Sequence, residues 1–284
     1  MQFKILSNKS SFLKKLLLCL PYLLLAIIFV ITPTILMLVR SFTSTSSGPM
    51  YLNWSYLSGF VWWKILQSLY IAVASTILCI IIAYPFAYFM SFNTRSKLAK
   101  SIVVLLVTAP IWMSFLVKIV GLKTVFDTIN GYENSTYGDI FTIIGLVYIY
   151  LPFMILPIFN VMNDMPKNLI FASKDLGRGS AATFFNVVLP YTKTALSSGI
   201  TLVFLPALTT VAVPQFLNSN TSGSMIGDII MEEGTMGQTS DISLARASTL
   251  SLVISLILLT TCGIYFSVKK IMKMSAKKRG KKYE

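Results

Sequence analysis

The stretch MIGDIIMEEGTMGQTSD, residues 225–241, holds four of the chain's ten acidic side chains: Asp228, Glu232, Glu233 and Asp241. Asp228 and Glu232 stand four apart, so on a helix they share one face. Carboxylates gathered in this way draw cations to a surface. The same stretch also reads as a solvated loop, or as a docking surface for basic residues of another protein. A second set of side chains could hold a cation without bearing charge. The ring faces of Trp112, Phe115, Tyr148 and Tyr150 attract ammonium groups by roughly 0.5–2 kcal/mol each. The plainer reading of these four is ordinary helix packing or an interfacial aromatic belt. Bond-making chemistry has less to draw on. The chain has no histidine, the commonest metal ligand and general base. Cys19, Cys79 and Cys262 lie far apart inside apolar runs, as core filler does, so no disulfide or metal set is expected. No phosphate loop occurs, since Gly177 and Gly179 lack both the following lysine and the preceding strand. The expectation is a non-enzyme without a cofactor of its own.

The elements that position these groups are apolar helices. Hydrophobic residues make up 55% of the 284 and charged residues only 12%, too apolar for a soluble domain of this size. Runs of about 20 residues, the length that crosses a bilayer as a helix, recur along the chain. There are six: Leu16–Val39, Ile65–Met90, Ser101–Val117 (continuing past Lys118 in one reading), Ile140–Asn160, Thr194–Leu217 and Ala247–Val268. Charge then sets the orientation. Four basic residues precede the first run, three lie at 91–100, four at 164–193 and eight after residue 268. With six spans these all share one side. Asp127, Glu133, Asp139 and the four carboxylates of 225–241 fall on the other. The positive-inside rule places both termini in the cytoplasm. Residues 1–15 are then a cytoplasmic segment, 16–268 a six-span transmembrane domain, and 269–284 a basic cytoplasmic tail. Half of the net charge of +14 lies in that tail, where Lys269–Lys282 suits anionic lipid headgroups. No base-stacking platform accompanies it, so no nucleic-acid partner is expected.

Between the fourth and fifth runs, the cytoplasmic segment 164–193 contains SKDLGRGSAATFFNVVLP, residues 173–190. Pro166 suits a first helical turn. A helix can continue from Asn168 to Leu176 and end at Gly177, which tolerates the left-handed backbone of a helix end. A second helix can follow with Ser180 as its N-cap, and Pro190 sets a break before the fifth span. Ala172, Ser173, Ala181 and Ala182 add little bulk, so another surface could approach this helix-turn-helix knob closely. An amphipathic linker lying on the membrane is the competing reading. Pro152 and Pro157 in the fourth run, and Pro206 and Pro214 in the fifth, either line a cavity with freed carbonyls or shape the bundle.

The spacing Gly177, nine residues, Val187, one residue, Leu189-Pro190 resembles the EAA loop of binding-protein-dependent ABC importer permeases. The blocks SLYIAVASTILCIIIAYPFAYFM (68–90), APIWMSFLVKIVGL (109–122), IIGLVYIYLPFMILPIF (143–159) and LVFLPALTTVAVPQFL (202–217) are similar to the spermidine/putrescine permease subfamily. The likeness covers roughly residues 65–235. The chain departs from the pattern at Phe171, which stands where the family has an acidic residue, and at Ala172-Ser173, where it has Ala-Ala. Asp175 is the nearest remaining carboxylate.

The resemblance implies an all-α type I importer (MetI-like) fold with six transmembrane helices and a cytoplasmic coupling helix. The coupling residues it implies are Ala172, Ser173, Lys174, Asp175, Gly177, Val187, Leu189 and Pro190. It further implies a second homologous permease subunit, two ATPase subunits that carry ATP and Mg, an external substrate-binding protein and a polyamine substrate. Candidates for the path are Trp112, Phe115, Tyr148, Tyr150, Pro214, Asp228 and Glu232. Lys118 would repel a cation, and because the family block is also basic there, it is expected at an interface or headgroup. The alternatives are an importer of another small solute (an oxyanion, iron or a phosphonate) and a secondary transporter, though no internal repeat supports the latter.

Overall fold

The structure, a computed structural model, describes residues 19–44, 48–94, 96–130, 138–218 and 225–280; for residues 97, 130 and 264–280 it describes the backbone alone. The regular elements are helical. In chain order they are α1 (Cys19–Ser41), a short α2 (Tyr51–Ser55), α3 (Gly59–Asn93), α4 (Lys97–Trp112) and α5 (Phe115–Asn130). Then follow α6 (Gly138–Asn163), α7 (Lys167–Asp175), α8 (Ser180–Thr209), α9 (Ala212–Leu217), α10 (Ile226–Met236) and α11 (Asp241–Gly280). Among the described residues five segments are long and apolar enough to cross a membrane: α1, α3, α6, α8 and the Asp241–Gly263 part of α11. The pair α4 and α5, counted as one broken span, makes the sixth.

Three sequence expectations change. The third run is two helices with axes 95° apart, not one continuous span. Pro110 lies in the last turn of α4, and Met113 after it adopts extended backbone at φ −81° and ψ 146°. The Ser114 carbonyl then accepts the Lys118 N–H at 3.2 Å and opens α5 in a new direction. The fifth run starts earlier, at Ser180, and stops at Thr209; extended Thr210 separates it from α9. Third, Pro190 does not break the chain. The turn Phe184–Val188 ahead of it is π-helical, with the Leu189 N–H bonded to the Phe184 carbonyl five residues back. A widened turn gives the proline ring room where a regular one would clash. The same arrangement recurs at Pro33, behind the π-turn Ile27–Ile31. Pro152 and Pro157 likewise sit within an unbroken α6.

The chain forms two compact units, residues 59–229 and residues 1–58 with 230–284. In the first, α3, α6 and α8 pack together around Cys79, Ala83, Met154, Ile158 and Val203. Gly145 on α6 lies against Leu122 of α5 and Leu217 of α9, and Phe126 stacks on Phe141 at 4.4 Å. In the second unit α11 packs on α1 and α2. There Asn53 Nδ2 donates to the Thr43 carbonyl at 3.0 Å and Trp54 Nε1 to the Ser41 carbonyl at 3.2 Å. The apolar side chains of α1 are unburied across its whole crossing window, as lipid contact requires.

A polar network closes the end of the 59–229 unit formed by the starts of α3 and α6. Lys64, 1% exposed, donates to Gln67 Oε1 at 3.2 Å. Gln67 Nε2 donates to both oxygens of Asp139 at 3.1 Å, and Asn218 Nδ2 donates to Asp139 Oδ1 at 3.0 Å. The Ile226 N–H donates to Ser68 Oγ at 2.9 Å. Gly138 permits the close approach, because a Cβ there would run into the Asn218 amide. Asp139 is one of two carboxylates, with Asp228, whose charge acts on the buried Lys64 ammonium, and it also accepts the Gln67 and Asn218 amides, so its loss is costly. Asp139→Ala is therefore expected to destabilise the protein by about 3 kcal/mol in thermal or denaturant unfolding. Replacing Lys64 and Asp139 together with Met and Leu should recover most of that loss.

Candidate functional site

The 164–193 segment folds as a helix-turn-helix, and its turn is fully specified by hydrogen bonds. Gly177 has φ +74°, a left-handed conformation that side-chain-bearing residues rarely adopt. Around it the Arg178 N–H bonds to the Ser173 carbonyl at 3.2 Å and the Gly177 N–H to the Lys174 carbonyl at 2.9 Å. This pair of crossed bonds is a Schellman motif, which satisfies the carbonyls left open at a helix end. Gly179, not Ser180, is the N-cap of the second helix. Ser173 Oγ and Thr183 Oγ1, both buried, share a hydrogen bond of 3.0 Å across the turn and lock the two helices together.

Ala172, Lys174, Asp175, Gly177, Pro190 and the expected interloper Phe171 are exposed, whereas Ser173 is buried and Val187 and Leu189 are half-buried. The expected coupling residues thus divide by role. The exposed ones form a surface, and the others fasten it. Leu169, Phe171 and Leu176 add exposed apolar area to that surface.

The fastening reaches deep into the 59–229 unit. Phe184 sits edge-on to two rings of α3, 5.8 Å from Tyr84 and 5.7 Å from Tyr88 by centroid. Tyr84 in turn shares a 3.1 Å hydrogen bond with Thr192 of α8, and Ile170 of α7 joins the cluster formed by Ala83, Phe159 and Val188. Edge-to-face rings add about 0.5–1.5 kcal/mol beyond burial and fix an orientation. Sequence reasoning passed over Phe184, Tyr84 and Tyr88. Their signal was an aromatic pair, Phe184-Phe185, beside a polar turn, and aromatics four apart on the second span.

The proposed cation-handling groups are less unified. Trp112, 86% exposed, ends α4 at the bend, and Phe115 begins α5 on its other side. Tyr148 and Tyr150, two apart on α6, point to nearly opposite faces. Tyr148 is exposed, while Tyr150 is half-buried and hydrogen-bonded to Thr210. Pro214 is buried within α9. Lys118 is 7% exposed, so it lies inside the 59–229 unit and not at a headgroup-facing surface.

The four carboxylates of 225–241 also separate. Asp228 acts electrostatically on Lys64, as Asp139 does. Glu232 and Asp241 are exposed, but Glu233 is 8% exposed and accepts the Tyr56 hydroxyl proton in a hydrogen bond. Burial, then that bond and the Glu233 charge, push the Tyr56 phenol up to about 12; the Arg246 guanidinium, 4.8 Å from the ring centroid, pulls the other way.

Residues 79–271 match the family model of the binding-protein-dependent transport system inner membrane component. A spermidine/putrescine transport system permease protein PotB homolog of Mycoplasma genitalium is 37% identical over 269 residues, covering 90% of this chain and 91% of its own. The PotB permease protein of Escherichia coli K12 is 27% identical over 267 residues, 87% of this chain and 94% of its own. Among solved structures, a bacterial ABC transporter involved in import of the acidic polysaccharide alginate superposes with TM-score 0.66 at 14% identity. That superposition covers 92% of this chain and 97% of the other. The MetNI methionine ABC transporter, inward facing, gives TM-score 0.55 at 17% identity over 74% and 97%. At these identities the two structures speak for the fold.

Tyr56 generates a pH prediction. Its folded pKa lies above the ordinary 10, so the stabilisation is complete below pH 10 and is lost as pH rises through about 12. Ultraviolet titration of wild type minus Tyr56→Phe should show one phenol ionising near pH 12. Glu233→Gln should bring that midpoint down. A Tyr56 midpoint at 10 would refute the contact.

Proposed function

The chain belongs to the binding-protein-dependent transport system inner membrane component family, and we propose that it forms half of the translocation path of an ATP-driven polyamine importer. As a multi-pass permease component it is not an enzyme. The polyamine assignment is supported by the names of full-length relatives, which include the spermidine/putrescine permeases. The remaining parts follow from that reading: a second homologous permease subunit, two ATPase subunits holding ATP and Mg, and an extracytoplasmic binding protein. In this reading the termini and the 164–193 knob are cytoplasmic, in line with the charge distribution.

The observation that carries the coupling role is the seating of Phe184 between Tyr84 and Tyr88. Movement of a partner against Ala172, Lys174 and Gly177 passes through the Ser173–Thr183 bond into α8, through Phe184 into α3, and through Ile170 into the cluster of Ala83, Phe159 and Val188. Packed interiors shift as rigid blocks and do not deform continuously, so such a contact conveys displacement. The absence of an acidic group at Phe171 means that the partner surface is met by an aromatic side chain at that point.

A polycation crossing the bundle needs carboxylates, ring faces or water in place of its hydration shell. Of the candidate path residues, Glu232 and Trp112 are exposed. Asp139 and Asp228 face the chain's own Lys64.

Two substitutions test the proposal in proteoliposomes containing the assembled importer and its binding protein. Gly177→Pro cannot adopt the left-handed turn, and should abolish ATP-dependent uptake of radiolabelled spermidine and putrescine. Phe184→Ala removes the ring at a cost of about 3 kcal/mol in packing, and should leave ATP hydrolysis running with uptake reduced at least tenfold in an assembled complex. Full uptake by both variants would overturn the coupling role. An assembled wild-type complex that hydrolyses ATP but takes up neither polyamine would overturn the substrate class.

A further inference from the structure

Within the 59–229 unit a groove of about 1130 Å³ runs between α4 and α6. Its two ends differ in chemistry. Lys100, in the first turn of α4, lies at one end together with Asn163 and Lys167. Val104 and Leu105 continue along α4 to Trp112 at the far end. Twelve residues of helix separate Lys100 from Trp112, about 18 Å at 1.5 Å per residue. That is close to the depth of one leaflet of a hydrocarbon core about 30 Å thick.

The cationic end is built. Lys100 Nζ donates to the Ser91 carbonyl at 2.8 Å and to Asn163 Oδ1 at 2.9 Å. An ammonium carries three N–H donors, so these bonds fix its position and leave one donor. Lys167 lies close enough for the two positive charges to repel each other, and none of the groove's lining residues is acidic. Two neighbouring ammonium groups at the mouth of a largely apolar trough fit an occupant with an anion at one end and a hydrocarbon chain at the other.

We propose that this groove binds an anionic phospholipid, its phosphate between Lys100 and Lys167 and one acyl chain along Val104 and Leu105 towards Trp112. Charge complementarity selects this occupant. A polyamine would meet two like charges, and an apolar helix of a second permease subunit would bury both ammonium groups without a counter-ion. The face lies on the knob's side of the membrane, where the reading above places the cytoplasm and its anionic lipid. Lys167 is the first residue of α7, so the lipid headgroup contacts the start of the knob. It would hold α4 and the knob's entry in one register.

The test uses the full chain in nanodiscs and in detergent. Each basic contact near a membrane is worth about a factor of five, so two give roughly a 30-fold preference for phosphatidylglycerol over phosphatidylcholine in native mass spectrometry. Lys100→Gln and Lys167→Gln should each cut that preference to about fivefold, and the double variant should abolish it. Lys167 is exposed at a helix start, so its variant remains informative if Lys100→Gln disturbs folding. Phosphatidylglycerol with brominated acyl chains should quench tryptophan emission in wild type and much less in Trp112→Phe. Free glycerol phosphate should not compete. Equal retention of both lipids, competition by glycerol phosphate, or a disulfide between Cys-substituted Val104 and a second permease subunit in the resting complex would each overturn the proposal.

Discussion

A helix that crosses hydrocarbon must close its backbone hydrogen bonds within protein, because no water is present to take them. This chain departs from regular helix at several places inside its spans, and the closures at those places explain much of its architecture. At Pro33 and Pro190 the ladder shifts to bonds five residues apart, and the widened turn admits the ring. Nearby hydroxyls supply further donors: Thr34 Oγ1 to the Val30 carbonyl at 2.6 Å, and Thr192 Oγ1 to the Val188 carbonyl at 2.9 Å. Each threonine follows its proline by one or two residues. Each irregular turn thus gains a side-chain hydrogen bond from within its own segment.

The π-turn at 184–188 has a second effect, on geometry. A π-turn fits an extra residue into one turn of helix, and so shifts the faces on which the side chains before and after it lie. Phe184 lies at its start and faces α3, while Val188 at its end is buried in the same core cluster. The knob's second helix and the fifth span are consequently one continuous helical body, joined to α3 by aromatic contact and by the Tyr84–Thr192 bond. A hinge at Pro190 would have separated them. The proline that looks like a break in the sequence is the residue that the widened turn absorbs.

Apolar runs, charge asymmetry and the Gly177 spacing made the helical class, the six-run plan and the knob legible in the sequence. They report local propensity and the cost of charge in hydrocarbon, both of which a single chain expresses directly. The bend at Met113 was not legible, because Pro110 is compatible with either a kinked span or a helix end, and packing against α6 and α9 decides. The charge of the acidic stretch 225–241 was legible, while helix and solvated loop both stayed open for it. Its division between Lys64 and Tyr56 was not legible, since those partners lie far away in sequence. Phe184 escaped for the same reason: its importance is set by two tyrosines about a hundred residues earlier.

The broken third span bears on how the protein enters its membrane. Helices α4 and α5 have 16 residues each, about 24 Å of rise apiece, short of the roughly 30 Å that a lone span must bridge. At right angles to each other they cannot add their lengths. The surfaces that shelter α5, on α6 and α9, are both synthesised after it. During biogenesis the main surfaces that α5 packs on therefore arrive only once α6 and α9 have followed it out of the ribosome. Insertion of this region is a joint event of several helices, completed only when the later ones arrive to receive it.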